Sequence, residues 1–188
     1  MKHAVAIIFA AMGWCMSSYA DVLSALAAKE SMAGRFTQRV ISPEGRPLEI
    51  SAGRFMLLRP DSLKWQIEEP DRQTLLSSGS QLTQIDWDLE VVVARDISPE
   101  ERGAFQWLLA PREQLLAAFD IDPSETGLML TPKQAGGAFQ RIEITQEEDG
   151  IWRLVVWDLS DQRLDFTLNE EPGIVVKSAD FLVPATPF

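Results

Sequence analysis

Few residue types are available here for catalysis. The 188-residue chain holds one histidine, His3, and one cysteine, Cys15. Both sit in an N-terminal run that reads as an export signal. Lys2 and His3 give a short basic start, Ala4 to Met16 is apolar, and Ser18-Tyr19-Ala20 is a small-x-small site, so cleavage is expected after Ala20. The apolar run is too short to span a bilayer. Cys15 lies where a lipid-modified cysteine would fall, but Trp14 precedes it where that processing needs a small side chain. With residues 1–20 removed, the chain from Asp21 has neither histidine nor cysteine. That excludes a Ser-His-Asp triad, a cysteine nucleophile, a disulfide framework and the usual zinc sites.

Carboxylates are abundant, but they alternate outward on strands or sit in turns, which does not make a glycosidase pair. Asp120-Ile121-Asp122-Pro123-Ser124 has a faint look of a calcium loop, yet Glu125 stands where the sixth position needs glycine. Gly136-Gly137 alone cradles no phosphate, and no nucleotide fingerprint is present. No cofactor and no metal are implied, and the chain is expected not to be an enzyme. One residue still calls for explanation. Arg59 closes the apolar block from Gly53 to Leu58, just before Pro60. An unpaired cation on an apolar sheet costs several kcal/mol. Either Arg59 reaches water at a strand end, or it acts as a polar latch at the mouth of an apolar cavity.

The elements around it are mostly strands. Val22, Leu23, Leu26 and Ala27 predict a helix over 21–32. From Gly34 the apolar period becomes two, and short strands with turns at Ser42-Pro43-Glu44-Gly45, Ser77 to Ser80 and near Asp86 make an antiparallel meander. Ser98-Pro99-Glu100-Glu101 is a capping-box signature for a helix carrying Phe105, Leu108 and Leu109. Pro111 ends it or opens a second helix with Leu115, Leu116 and Phe119. Strands then resume to the end, the last over 180–183. About ten or eleven strands and two or three helices form one domain, 21–188, mainly β with a few helices. Helices inserted among many antiparallel strands point to a curved sheet with its concave face covered, around either a solid core or a cavity. Five tryptophans remain after Trp14 leaves; Trp107 is the best placed to join helix to sheet.

Charge limits the partners. Residues 21–188 carry 16 basic and 28 acidic side chains, a net −12, because Lys2 leaves with the signal. Nucleic acid and anionic membrane surfaces are poor partners for such a chain.

The chain resembles the periplasmic lipoprotein carriers of the LolA type. The matching residues, in order, are Phe36-x-Gln38, Gly53-x-Phe55, Arg59-Pro60, Trp65, Pro70, Ser78-Gly79, Phe105, Leu130-Thr131-Pro132-Lys133 and Asp161-Gln162-Arg163. The resemblance implies an unclosed, strongly curved antiparallel β-barrel of about 11 strands with a helical lid over a hydrophobic cavity. It implies a periplasmic monomer that shields lipoprotein acyl chains, an inner-membrane ABC release complex as donor and an outer-membrane lipoprotein as acceptor. It places a lid gate at Arg59, which would bond lid backbone groups when empty. Phe55, Leu57, Trp65, Leu82, Phe105, Leu108, Leu109 and Leu116 would line the cavity. Two departures stand out: Gln81-Leu82-Thr83-Gln84-Ile85 is more polar than the family's strand there, and the chain stops at Phe188. A relative carrying another amphiphile, such as a glycolipid or polyene lipid, and a periplasmic scaffold or signalling module of the same fold are the alternatives.

Release constrains such a carrier. Burying a triacyl group of about 45 methylenes at about 0.8 kcal/mol each would yield about 36 kcal/mol, beyond the roughly 20 kcal/mol ceiling of non-covalent affinity. The cavity must therefore fit imperfectly or close at a cost, and a polar latch supplies one. Arg59→Leu is expected to fold and to fail in handing cargo on.

Overall fold

A computed structural model describes residues 17–98, 101–147 and 150–185, with side chains from residue 22 onward. The expected signal segment lies outside the described residues up to residue 16, as do Pro99, Glu100 and Asp149 of the expected turns. The chain runs α1 (Ser17–Ala27), β1 (Ser31–Ile41), β2 (Pro47–Leu58), β3 (Ser62–Glu69), β4 (Gln73–Ser78), β5 (Gln81–Asp86) and β6 (Val91–Asp96). Then follow α2 (Ala104–Leu109), α3 (Arg112–Ala118), β7 (Phe119–Pro123), β8 (Leu128–Pro132), β9 (Arg141–Gln146), β10 (Ile151–Trp157) and β11 (Arg163–Glu170), with a 3-10 helix at Ser178–Phe181.

All eleven strands form one antiparallel sheet in the order β6-β5-β4-β3-β2-β1-β11-β10-β9-β8-β7. β6 and β7 are its two edges, so the barrel is unclosed. The chain must travel from one edge to the other between residues 96 and 119, and that connection carries α2 and α3. Topology alone thus lays the helices over the open side. The fold is the mainly β, lidded sheet that the sequence predicts.

Register sorts the side chains. Opposed residues share a face, so Met32 with Leu57, Phe55 with Trp65, and Leu154 with Phe166 belong to the concave side. These form the buried core together with Leu108, Leu109, Ile142, Ile144 and Trp152. Gly53 is required by close approach: a Cβ there would overlap the Gln66 carbonyl oxygen on β3.

Three local expectations are corrected. The first helix ends at Ala27, and Met32 belongs to β1 opposite Leu57. Residues 180–183 form no strand. The 3-10 helix instead lies against β3 and β4 with Phe181 buried, and the Asp180 carboxylate accepts from the Lys177 N–H at 2.7 Å. Phe119, expected on the second helix, instead opens the edge strand β7, because Phe119 and Ile121 alternate with Asp120 and Asp122 and pair with Pro132 and Leu130.

Candidate functional site: an arginine joining two helix ends over an apolar interior

Arg59 follows the last residue of β2, and its backbone N–H donates to the Glu30 carbonyl at 3.0 Å. That bond holds the strand end beside the segment after α1. The guanidinium then donates to five main-chain carbonyls. Nε reaches Lys29 at 2.9 Å, Nη2 reaches Leu26 at 3.0 Å and Leu108 at 3.2 Å, and Nη1 reaches Leu109 at 2.6 Å and Ala110 at 3.1 Å. The last carbonyls of a helix have no intrahelical partner. Arg59 therefore satisfies the ends of α1 and α2 at once, with its positive charge where a helix end favours it. Desolvation pushes its pKa down and the Glu30 charge pushes it up, but a guanidinium stays protonated under either influence.

Beneath the guanidinium the interior is nearly full. The cavity there has a volume of about 20 Å³, and its walls include Met32, Leu57, Phe105, Leu109, Trp152 and Leu168. That is room for a water-sized group and not for an acyl chain. Phe105 fills much of the remaining space. Its ring lies 4.4 Å from Trp65 and 4.9 Å, edge-on, from Phe166, while Phe36 stacks on Trp65 at 3.8 Å. On its other side Phe105 borders a groove of about 300 Å³ that opens between Leu75, Ile67 and Leu164, with Gln38, Gln73 and Gln84 among its walls. One aromatic ring thus separates the small closed cavity from the larger open groove.

The structure brings together most of the residues singled out from the sequence. Phe55, Leu57, Trp65, Leu108 and Leu109 are buried in the core, and Phe105 packs against it. Leu82 faces the concave side opposite Ser77, partly exposed and outside that cluster. Leu116 is a correction: it is 43% exposed, because the seven-residue helix α3 buries Leu115 and turns the next position outward. Trp107 joins helix to sheet through an edge-on contact with Phe119 of β7, 5.1 Å between ring centres. The capping box is displaced. The Glu101 carboxylate accepts from the Ser98 N–H at 2.9 Å, but α2 starts only at Ala104, where Gln106 accepts from the Gly103 N–H at 2.6 Å. Trp152, one of the five tryptophans that remain after the signal, was not singled out from the sequence, and it lies 1% exposed in the wall of the small cavity. Its signal was the Trp152/Leu154/Val156 alternation, which marks an inward face without showing what the ring touches.

Among the described residues there is no cluster of side chains fit to hold a metal ion, and no helix is long and apolar enough to cross a membrane. The arrangement encloses apolar side chains beneath two helix ends. The chain is similar to several known proteins. An outer-membrane lipoprotein carrier protein from Bordetella pertussis is 28% identical over 181 residues, covering 93% of this chain and 86% of its own. One from Alkalilimnicola ehrlichii is 31% identical over 154 residues, covering 76% and 71%. A solved structure of a LolA superfamily protein from Nitrosomonas europaea is 12% identical with a TM-score of 0.49, covering 89% of this chain and 99% of that one. Residues 27–181 match the family described as "Outer membrane lipoprotein carrier protein LolA", a carrier family rather than an enzyme family, and this chain belongs to it.

Proposed function

We propose that this protein is a periplasmic carrier that takes lipoprotein acyl chains into the interior of its curved sheet and shuttles them from the inner to the outer membrane. The observation that carries the reading is the five-carbonyl grip of Arg59 on the ends of α1 and α2 above an apolar interior. A cavity of about 20 Å³ admits no acyl chain, so loading requires α2 to move and those bonds to break. Charge-assisted hydrogen bonds contribute about 1.5–3 kcal/mol each when sheltered and less where water reaches them. Loading is weakened by that amount, and closing recovers it, which drives release. An inner-membrane ABC release complex is the donor in this scheme and an outer-membrane lipoprotein the acceptor. The protein works as a monomer and needs no cofactor.

The polar strand β5 favours a second reading. Gln84 and Asp86 share the concave face with Leu82, which suits an amphiphile with a polar head larger than a lipoprotein's diacylglyceryl group. Mass spectrometry of lipid extracted from the protein purified out of the periplasm separates the two. Triacylated or diacylated lipoprotein supports the first reading; a glycolipid or polyene lipid in its place overturns it.

A further inference from the structure

The indole N–H of Trp152 is buried and donates to nothing among the described residues. Buried donors nearly always find a partner, and one left alone calls for a reason. Trp152 is central on the far half of the sheet. It stands on β10 between Leu168 of β11 and Gln146 of β9, and it lines the small cavity under Arg59. Leu26, Met32, Leu57, Leu108, Ile144 and Leu154 share that cavity, and none of their side chains has a polar hydrogen. The other polar side chains around it, on Lys29, Glu30, Ser31 and Arg59, belong to the stretch after α1 and the latch. Lys29 is occupied by Glu170 at 2.7 Å and Arg59 by its five carbonyls.

We infer that Trp152 is the carrier's interior recognition residue for the acyl linkage: its N–H donates to an ester carbonyl of a bound chain. The inference rests on the carrier reading above and deepens it. An acyl chain joined through an ester brings one carbonyl acceptor for each chain and no donor. A wall that is mostly hydrocarbon and carries one buried donor without a partner matches that pattern. It also discriminates. An ether-linked chain offers only a weaker acceptor off the carbonyl position and a plain alkyl chain offers none, so each gains the same apolar burial without that bond, and sites built to hydrogen-bond a ligand disfavour analogues that cannot make it. In the empty state the N–H carries a desolvation cost that a carbonyl relieves.

The test compares two probes on the full-length carrier: a cysteine peptide with two ester-linked palmitoyl chains, and its analogue with two ether-linked hexadecyl chains. Wild type is expected to bind the ester probe about fivefold more tightly, the worth of one neutral hydrogen bond. Trp152→Phe keeps an aromatic side chain and removes the N–H, with a smaller ring. It should fold with a somewhat lower thermal midpoint and bind both probes equally. The indole ¹⁵N–¹H resonance of wild-type Trp152 should move downfield with the ester probe only, a reading that needs no variant. Equal binding of both probes by wild type, an ester preference that survives Trp152→Phe, or an indole resonance that ignores the ester would each overturn the inference. Binding of the ether probe tests the carrier reading separately, since its chains need only an apolar interior. If neither probe binds, the carrier reading falls and this inference with it.

Discussion

The Arg59 guanidinium donates to the carbonyl of Leu109 at 2.6 Å, the shortest of its five hydrogen bonds and one of three that tie the end of β2 to the end of α2. This contact converts a costly cation on an apolar sheet into a fastener. Under the proposed function, its strength sets how often α2 lifts.

Arg59→Lys is expected to weaken the closed state without unfolding the sheet. A lysine keeps the charge but lacks the fork that reaches two helix ends together. Amide hydrogen exchange in 104–110 should speed up at least tenfold, as loss of one charge-assisted bond predicts. Exchange in β1 and β11 should stay at wild-type rates. Uniform acceleration across the chain would mean that Arg59 supports the whole fold and not the lid.

Phe105→Ala removes the ring that divides the closed cavity from the open groove. Truncating a core phenylalanine typically costs about 3–5 kcal/mol, and Phe105 is only partly buried, so about 2–3 kcal/mol is expected here. Uptake of a fluorescent apolar dye should rise in the same variant, because the two spaces merge. Denaturant titration and dye fluorescence check the two halves independently.

Gly53→Ala tests the tightest point of the sheet. The added methyl would meet the Gln66 carbonyl, which is rigid backbone and cannot turn aside. A loss of about 3 kcal/mol or more in urea unfolding is expected. A loss below 1 kcal/mol would show that β2 and β3 slide apart easily.

Much of this arrangement was legible in the sequence, for physical reasons that differ by element. Strands β2 and β3 show period-two alternation with apolar inner faces, and the turn residues mark strand ends. Around Arg59 the residues left two readings, water at a strand end or a latch; the resemblance favoured the latch, and only the fold shows that the partners are five carbonyls on two helices. β7 was hidden because its five residues follow a helix directly, and its acids suggested a loop. The 3-10 helix was hidden because Phe181-Leu182-Val183 has the composition of a strand, and only packing of Phe181 against β3 and β4 decides otherwise. Leu116 was misplaced because a helix this short buries one leucine of an adjacent pair, and composition cannot say which.

Acid should loosen surface anchors while the latch stays charged. The Asp88 carboxylate accepts from the Arg72 backbone N–H at 2.8 Å and from its guanidinium, and these bonds hold its pKa below the usual value. The Glu101 carboxylate is likewise lowered, first by the Ser98 N–H and then by Arg95. A carboxylate depressed in the folded state stabilises above its unfolded pKa and loses that contribution as pH falls through the folded one. Asp88→Asn should therefore lower the thermal midpoint slightly at pH 7, and the difference should shrink as the pH falls below the ordinary aspartate range and through the folded pKa. Both groups are fully exposed, so the effect is small. A midpoint difference that persists in acid would assign the loss to packing instead of charge.

The most direct test of the central claim is transfer by the Arg59→Leu variant. Purified carrier loaded with a radiolabelled triacylated lipoprotein is mixed with the outer-membrane acceptor, and the label passed on is counted over time. If re-forming the Arg59 bonds drives release, the variant loads at least as well as wild type and passes cargo on at least about tenfold more slowly. Loading and transfer at wild-type rates would contradict the latch.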